Sequence, residues 1–330
     1  MRAALQFIAH PGAGRNAFRR RWPPLAQALA ALGLEHEVVL TEEEGHATQL
    51  ARQAVEDGAR LVVGVGGDGT LHEVVNGVLG EADRAPAEVM VGLVPAGRGS
   101  DYARGLGFET GADALVKRFA AALEGDPSAT RRVDAGEVTY RPSALVAGRH
   151  VEGGGGGSDD ARSSRRFINE AGIGFSPFVA QRTARFPARL GAWLYTLAGI
   201  VTIIDWRHRA LALTWDGGER QAARFASVEV ALGRYAGGGM LLAPGASLDD
   251  GLFDVLTIGE AGRAELLSFS WRLRTGAHVG SPVVAVRRTA TLTAEAQDDR
   301  GPIYLQADGE LLGRDPVTFR ILPDALAFAG

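Results

Sequence analysis

The sequence predicts an α/β domain with a parallel sheet covered on both faces, followed by a second half of antiparallel strands. Three observations lead there. Up to Gly125, short apolar and β-branched runs alternate with stretches of helical period. Three of those runs end in glycine-rich loops, at residues 10–16, 66–70 and 95–102. After Gly125-Asp126-Pro127 the helical texture gives way to short strand-like runs separated by turn pairs such as Asp216-Gly217 and Asp308-Gly309.

In order, residues 3–9 read as a first strand and 23–32 as a helix, because Pro23 and Pro24 suit a first turn and Gly33 a stop. Residues 35–40 form the second strand, 46–55 a helix ending near Gly58, and 60–65 the third strand. Leu71, Val74, Val75, Val78 and Leu79 then recur at helical spacing. Residues 90–94 give a fourth strand and 112–123 another helix. The later strands are expected at 133–140, 167–172, 211–215, 227–232, 253–258, 283–286, 290–292, 303–307 and 317–321. The boundary is expected near Arg131, giving domains 1–130 and 131–330, with the last residues free to pack back on the first. Five glycines at 153–157, followed by Ser158, Asp159 and Asp160, read as a mobile loop. Arg162, Arg165 and Arg166 close it, as a solvated hairpin tip or a contact for an anionic headgroup.

A chain of 330 residues, 46% hydrophobic and 22% charged, fits two globular domains. A net charge of -4 argues against binding nucleic acid by neutralising its phosphates. The absence of cysteine excludes disulfides and thiolate ligands, and a cytoplasmic location is expected. Residues 190–204 are apolar but short for a membrane span. They read as a core helix, an acyl-channel lining or a bilayer contact.

The chemistry is concentrated where strands meet glycine. A strand that runs through Gly66-Gly67-Asp68-Gly69-Thr70 into a helix places bare backbone N–H groups at the positive helix end, where phosphate is favoured. The bland alternative is a tight βα turn. Asp68 inside that turn repels a phosphate unless a cation stands between them, which suggests Mg²⁺. Ligands on parallel sheets bind at the carboxyl ends of the strands, and all three glycine loops emerge at that edge. Phosphoryl transfer also needs an acceptor for the attacking hydroxyl's proton, for which Asp134 and Asp308-Gly309-Glu310 are candidates. The cluster from Ser247 to Asp254 offers oxygen ligands for a hard cation, or is a polar turn.

These residues resemble a known group. Gly66-Gly67-Asp68-Gly69-Thr70 followed by Leu71-His72-Glu73-Val74-Val75-Asn76-Gly77 is similar to the catalytic domain of the diacylglycerol, sphingosine and ceramide kinases, especially their soluble bacterial lipid kinase relatives. The likeness extends to His10 through Gly14, Thr41 with Gly45-His46-Ala47, Val133-Asp134-Ala135-Gly136, Phe167 through Phe175, Asp250-Gly251-Leu252 and Asp308-Gly309-Glu310. It implies an ATP-dependent lipid kinase with a three-layer α/β domain, a β-sandwich, and nucleotide in the cleft between them. On that resemblance Gly12, Gly14, Arg15, Thr41, Gly66, Gly67, Asp68, Gly69, Thr70, Gly97 and Arg98 would contact nucleotide. Glu310 would be the general base, and Asp68 and Asp134 would organise the catalytic Mg²⁺. A second Mg²⁺ would sit on the Asp250 carboxylate with backbone carbonyls of Ser247 and Leu252. Where relatives usually carry Gly-Thr-x-Asn-Asp-Phe, this chain has Gly97-Arg98-Gly99-Ser100-Asp101-Tyr102, so Arg98 either adds a cation at the phosphates or closes the site. The implied partners are a diacylglycerol-like or sphingoid lipid and, transiently, a membrane surface, without nucleic acid; a homodimer is left open. Related NAD kinases also carry the glycine motif, so an NAD kinase-like enzyme and a non-catalytic nucleotide or lipid binder are the alternatives.

Overall fold

The computed structural model describes residues 3–12, 17–97, 100–143, 162–183 and 193–330. The loop expected at 153–157 and the site candidates Gly14, Arg15 and Arg98 lie outside them. The chain forms two compact units, Met1–Ala135 with Leu322–Gly330, and Gly136–Ile321.

The first unit contains β1 (Leu5–Ala9), α1 (Ala17–Ala31), β2 (His36–Leu40), α2 (His46–Glu56), β3 (Leu61–Gly66), α3 (Asp68–Leu79), β4 (Met90–Pro95), α4 (Asp101–Leu106) and α5 (Ala112–Glu124). Strands β2, β1, β3 and β4 lie side by side and parallel, and the chain end pairs parallel on β4 through Ala327–Ala329. Leu5, Phe7, Leu61 and Val63 project to one face, where they bury against Leu25 and Leu29 of α1 and Leu115 and Phe119 of α5. Removing a ring such as Phe7 or Phe119, both fully buried, costs about 3–5 kcal/mol. On the other face Gly64 lies against Leu71 and Val74 of α3. Helices α2 and α3 approach each other at Gly77, where a Cβ would lie 2.3 Å from the Thr48 carbonyl and 2.6 Å from the Ala51 methyl. The N-terminus of α2 receives the Glu73 carboxylate, which accepts the Ala47 N–H at 3.0 Å.

Helix α1 differs from the expectation. It begins at Ala17 and carries Pro23 and Pro24 in its interior rather than in its first turn. The turn ahead of the prolines is held by a tertiary contact and one within the helix: Trp22 packs edge-on against Phe7 at 5.4 Å and stacks on Phe18, one turn back, at 5.6 Å. Packing overrides a local penalty of about 3 kcal/mol for an interior proline.

The second half comprises β5 (Thr130–Pro142), β6 (Ser163–Phe167), β7 (Glu170–Gly174), α6 (Phe175–Thr183), α7 (Trp193–Asp205), β8 (Arg209–Trp215), β9 (Arg220–Phe225), β10 (Ser227–Ala231), β11 (Tyr235–Ala236), β12 (Met240–Leu241), β13 (Phe253–Ile258), α8 (Arg263–Arg272), β14 (Val284–Thr289), β15 (Thr291–Ala296), β16 (Tyr304–Ala307) and β17 (Glu310–Ala329). Strands β5 and β17 cross the boundary between the units. Within the second unit β14, β13, β10, β7, β16 and β17 follow one another, and β17 continues to β15, β8 and β9; their registers are antiparallel. Phe167 of β6 stacks on Phe253 of β13 at 5.7 Å and meets Phe319 of β17 edge-on at 6.3 Å. Gly136 makes that core fit, since a Cβ there would sit 2.2 Å from the Phe167 ring. The protein is thus an α/β unit with a parallel sheet followed by an antiparallel β unit.

Two further departures have local causes. The strand expected at 167–172 is split into β6 and β7, because the N–H groups of Ile168, Asn169 and Glu170 turn to the Asp308 carboxylate at 3.0, 3.0 and 3.1 Å. Arg166, read as part of a solvated hairpin tip, is 4% exposed and ion-pairs with Glu137 opposite it on β5. The apolar stretch at 190–204 ends in helix α7. Leu194, Thr196, Ala198, Thr202 and Ile203 are its buried residues among those described.

Candidate active site

At the carboxyl edge of the parallel sheet, backbone bonds gather the strand ends. The His10 N–H donates to the Val65 carbonyl at 3.2 Å, the Thr41 N–H to Ala9 at 2.9 Å, and the Ala96 N–H to Gly66 at 2.7 Å. The imidazole of His10 hydrogen-bonds the hydroxyl of Thr41 at 3.0 Å, and Gly12 lies beside that ring, a Cβ there falling 3.3 Å from its Nε2. Thr41 itself is buried. The structure therefore brings His10, Gly12, Thr41, Gly66, Gly67 and Gly97 to one edge of the first unit.

The glycines are used at close quarters. A Cβ on Gly97 would lie 2.4 Å from the Gly67 Cα, and one on Gly67 would lie 3.1 Å from the Gly97 Cα. The two loops touch backbone to backbone, which leaves no room for a side chain on Gly97 and little on Gly67. A Cβ on Gly66 would meet the Thr70 hydroxyl at 2.2 Å, whereas Gly69 faces open space.

Asp68 joins the second loop to the third. Its Oδ2 accepts the Asp101 N–H at 3.0 Å and its Oδ1 the Tyr102 N–H at 3.1 Å. These are first-turn donors of α4, whose own N-cap, Ser100, sits at φ 49° and supplies no side-chain bond. Asp68 caps that helix from 33 residues away. Ser100 thus sits in the left-handed region, which Asn tolerates better than Ser. Asp134 is 1% exposed and accepts the Asp324 N–H at 2.9 Å, tying the returning chain end to β5 within the first unit.

In the second unit Glu310 follows a two-residue turn, Asp308 at φ 49° and Gly309 at φ 85°, with Ala307 opposite Glu310 across the hairpin. Asp308 takes three N–H groups from the β6–β7 junction, and its own N–H donates to the Glu170 carbonyl at 2.7 Å. Gln306 closes the turn, accepting the Gly309 N–H at 2.9 Å and donating to Glu170 Oε2 at 2.7 Å. Glu310 stands 3.7 Å from the Arg165 guanidinium, both about one quarter exposed. Tyr140 lies beside this pair; burial pushes its phenol up, Arg165 draws it down and Glu310 adds to the rise.

The Asp250 group is arranged around an arginine. Asp250 Oδ1 accepts the Leu252 N–H at 3.1 Å, its other oxygen pairs with Arg288, and the same guanidinium is 3.8 Å from Asp254. Burial raises the Asp254 carboxyl, Arg288 lowers it and Asp250 raises it again. Ser247 donates to Asp249 at 2.6 Å. Arg288 supplies the positive charge beside Asp250 and Asp254. Among the described residues no group of three or more His, Asp or Glu side chains is placed to hold a metal. Sequence reasoning passed over Arg165, Tyr140 and Arg288 as partners, because each meets its acid across a strand or turn distant in the chain.

Residues 4–138 match the diacylglycerol kinase catalytic domain family, and residues 170–330 the YegS C-terminal NAD kinase beta sandwich-like domain. A diacylglycerol kinase of Staphylococcus saprophyticus is 26% identical over 320 residues, covering 97% of this chain and 92% of the relative. A diacylglycerol kinase of Bacillus subtilis is 26% identical over 315 residues, covering 95% and 92%. A crystal structure of a diacylglycerol kinase from Bacillus anthracis shares the fold, with a TM-score of 0.65, 18% identity and coverage of 98% of this chain and 96% of that one.

Proposed function

We propose, from a chain that belongs to the diacylglycerol kinase family and is a kinase, that it transfers the γ-phosphate of ATP to the hydroxyl of a diacylglycerol-like or sphingoid lipid. The observation that carries this reading is the glycine edge: Gly67 and Gly97 in backbone contact, with Asp68 fixing the helix that follows. Bare N–H groups at such an edge suit phosphate. Thr41 and Gly12 flank the same edge, beside the His10 ring.

The acceptor oxygen forms a bond to the γ-phosphorus as the bond to the β-phosphate bridging oxygen breaks. ADP leaves, and the proton of the attacking hydroxyl passes to the Glu310 carboxylate. Arg165, 3.7 Å away, orients that carboxylate, and the Asp308–Gln306–Glu170 bonds fix the turn that carries it. Asp68 and Asp134 would be the carboxylates that hold Mg²⁺, directly or through water, with the lone pairs left beside the backbone N–H groups each accepts. The chemistry the ion would supply there is positive charge beside the transferred group.

Labelled ATP offered with a panel of lipids tests the reading. Glu310→Gln is expected to lose about 10²–10⁴-fold in turnover with an unchanged circular dichroism spectrum; equal turnover removes Glu310 from the mechanism. The NAD kinase-like match of the C-terminal half favours one second reading, phosphorylation of NAD, which the same label distinguishes.

A further inference from the structure

We infer that the outward faces of α7 and α8 form a docking surface for a bilayer that carries anionic lipid. A surface helix ordinarily turns polar residues to water. Helix α7 instead exposes Leu197 (37%), Val201 (40%) and Ile204 (61%), at i, i+4 and i+7, and α8 exposes Leu267 (41%) and Trp271 (61%), at i and i+4. Val279, in the turn after α8, is 38% exposed. These six make up two thirds of the nine exposed large apolar side chains among the described residues, so the exposure is concentrated rather than scattered. The two helices are packed together through Ile203, Leu266 and Phe269, which places the exposed residues on neighbouring elements.

The charge around them selects the occupant. On these helices and their flanks stand Arg182, Arg207, Arg224, Arg263, Arg272 and Arg274 against Asp205, Glu260 and Glu265, a local excess of three positive charges in a chain of net charge -4. Two of the acids are already paired, Asp205 with Arg182 and Glu260 with Arg224. Apolar residues that include a tryptophan, rimmed by arginine, match the interfacial layer of an anionic membrane. A second copy of the chain is a poorer fit, because a two-fold contact brings the same arginines face to face. No helix among the described residues is long and apolar enough to cross a membrane, so the contact is with its surface. This surface deepens the lipid kinase reading, since an enzyme with a bilayer-resident acceptor must reach it there.

The test is co-sedimentation of the full chain with phosphatidylcholine vesicles, with and without phosphatidylglycerol. Binding is expected only with phosphatidylglycerol, weakened by salt, and reduced about tenfold or more in the double variant Ile204→Ser with Trp271→Ser. That variant should keep its melting temperature and its transfer to a short-chain diacylglycerol below its micellar concentration. No vesicle binding by the unaltered chain, or equal binding by the variant, overturns the proposal. So does a dimer that the variant dissociates while vesicle binding persists. Vesicle binding that the variant loses, together with no labelling of any lipid, upholds the surface and removes the kinase reading instead.

Discussion

In the first unit the Asp68 carboxylate takes two backbone N–H groups from a segment 33 and 34 residues away. In the second unit Asp308 takes three, from a segment 138 to 140 residues away. Both are acids next to glycine, yet their surroundings differ. Asp68 stands where two glycine loops already touch, so part of the geometry is set by the absence of side chains. Asp308 interrupts a strand and holds the break without such help. Carboxylates that look like ligands or turn residues in the sequence act in the fold as clamps, and how much depends on each follows from the number of donors it satisfies.

The largest expected effect comes from removing the clamp with more donors. Asp308→Ala leaves three N–H groups without their acceptor and places a Cβ-only residue at φ 49°, for a loss of about 3 kcal/mol or more in urea unfolding. Asp308→Asn keeps one acceptor oxygen and a residue tolerant of that backbone, and should fall between. Asp68→Ala should cost less, about 1–2 kcal/mol, with weaker nucleotide binding by calorimetry. An equal loss at the two sites would abolish the distinction between them.

A third measurement uses the interior of the second unit. Glu229, on β10, is buried beside Ser227 and Ser176, at a point where a Cβ on Gly172 would lie 2.1 Å from its Oε2. Burial raises its carboxyl to about 7 from 4.5, and the Ser227 and Ser176 hydroxyls lower it. The folded state then holds a proton that the unfolded chain has released, so this contribution to stability is full below 4.5 and is lost as pH rises towards 7. Glu229→Gln should therefore match the unaltered chain at acid pH and exceed it above 7 in melting temperature. The smallest effect is expected at Ser100: replacing it with Asn relieves the left-handed position and should stabilise by about 0.5 kcal/mol in thermal unfolding.

Much of the first unit was legible because its signals are local. Strand runs end in glycine, helical period follows, and the sheet edge where the loops gather is a consequence of parallel order. Helix α4 was not legible, since its cap is supplied by Asp68 rather than by a neighbour. The start of α1 was misplaced because Pro23 and Pro24 signal a first turn, whereas the rings of Phe7 and Phe18 hold Trp22 in a turn before them. In the second unit Phe253–Ile258 was placed to the residue, as a strand-like run behind the polar turn at Asp250-Gly251. Arg165 and Arg166 were not, because their partners Glu310 and Glu137 lie on other strands.

The sequence by itself determined the alternation of strands and helices in the first unit up to β4, the glycine turns at the parallel edge and the Asp-Gly turn before Glu310, but not α4, α6, β9 or α8; period and backbone freedom are properties of adjacent residues. Tertiary structure decided which donors each carboxylate receives, that Gly67 meets Gly97, and that apolar residues of α7 and α8 remain outside. Those outcomes depend on distances between segments remote in the chain, and hydrogen bonds and packing act only once folding has brought those segments together.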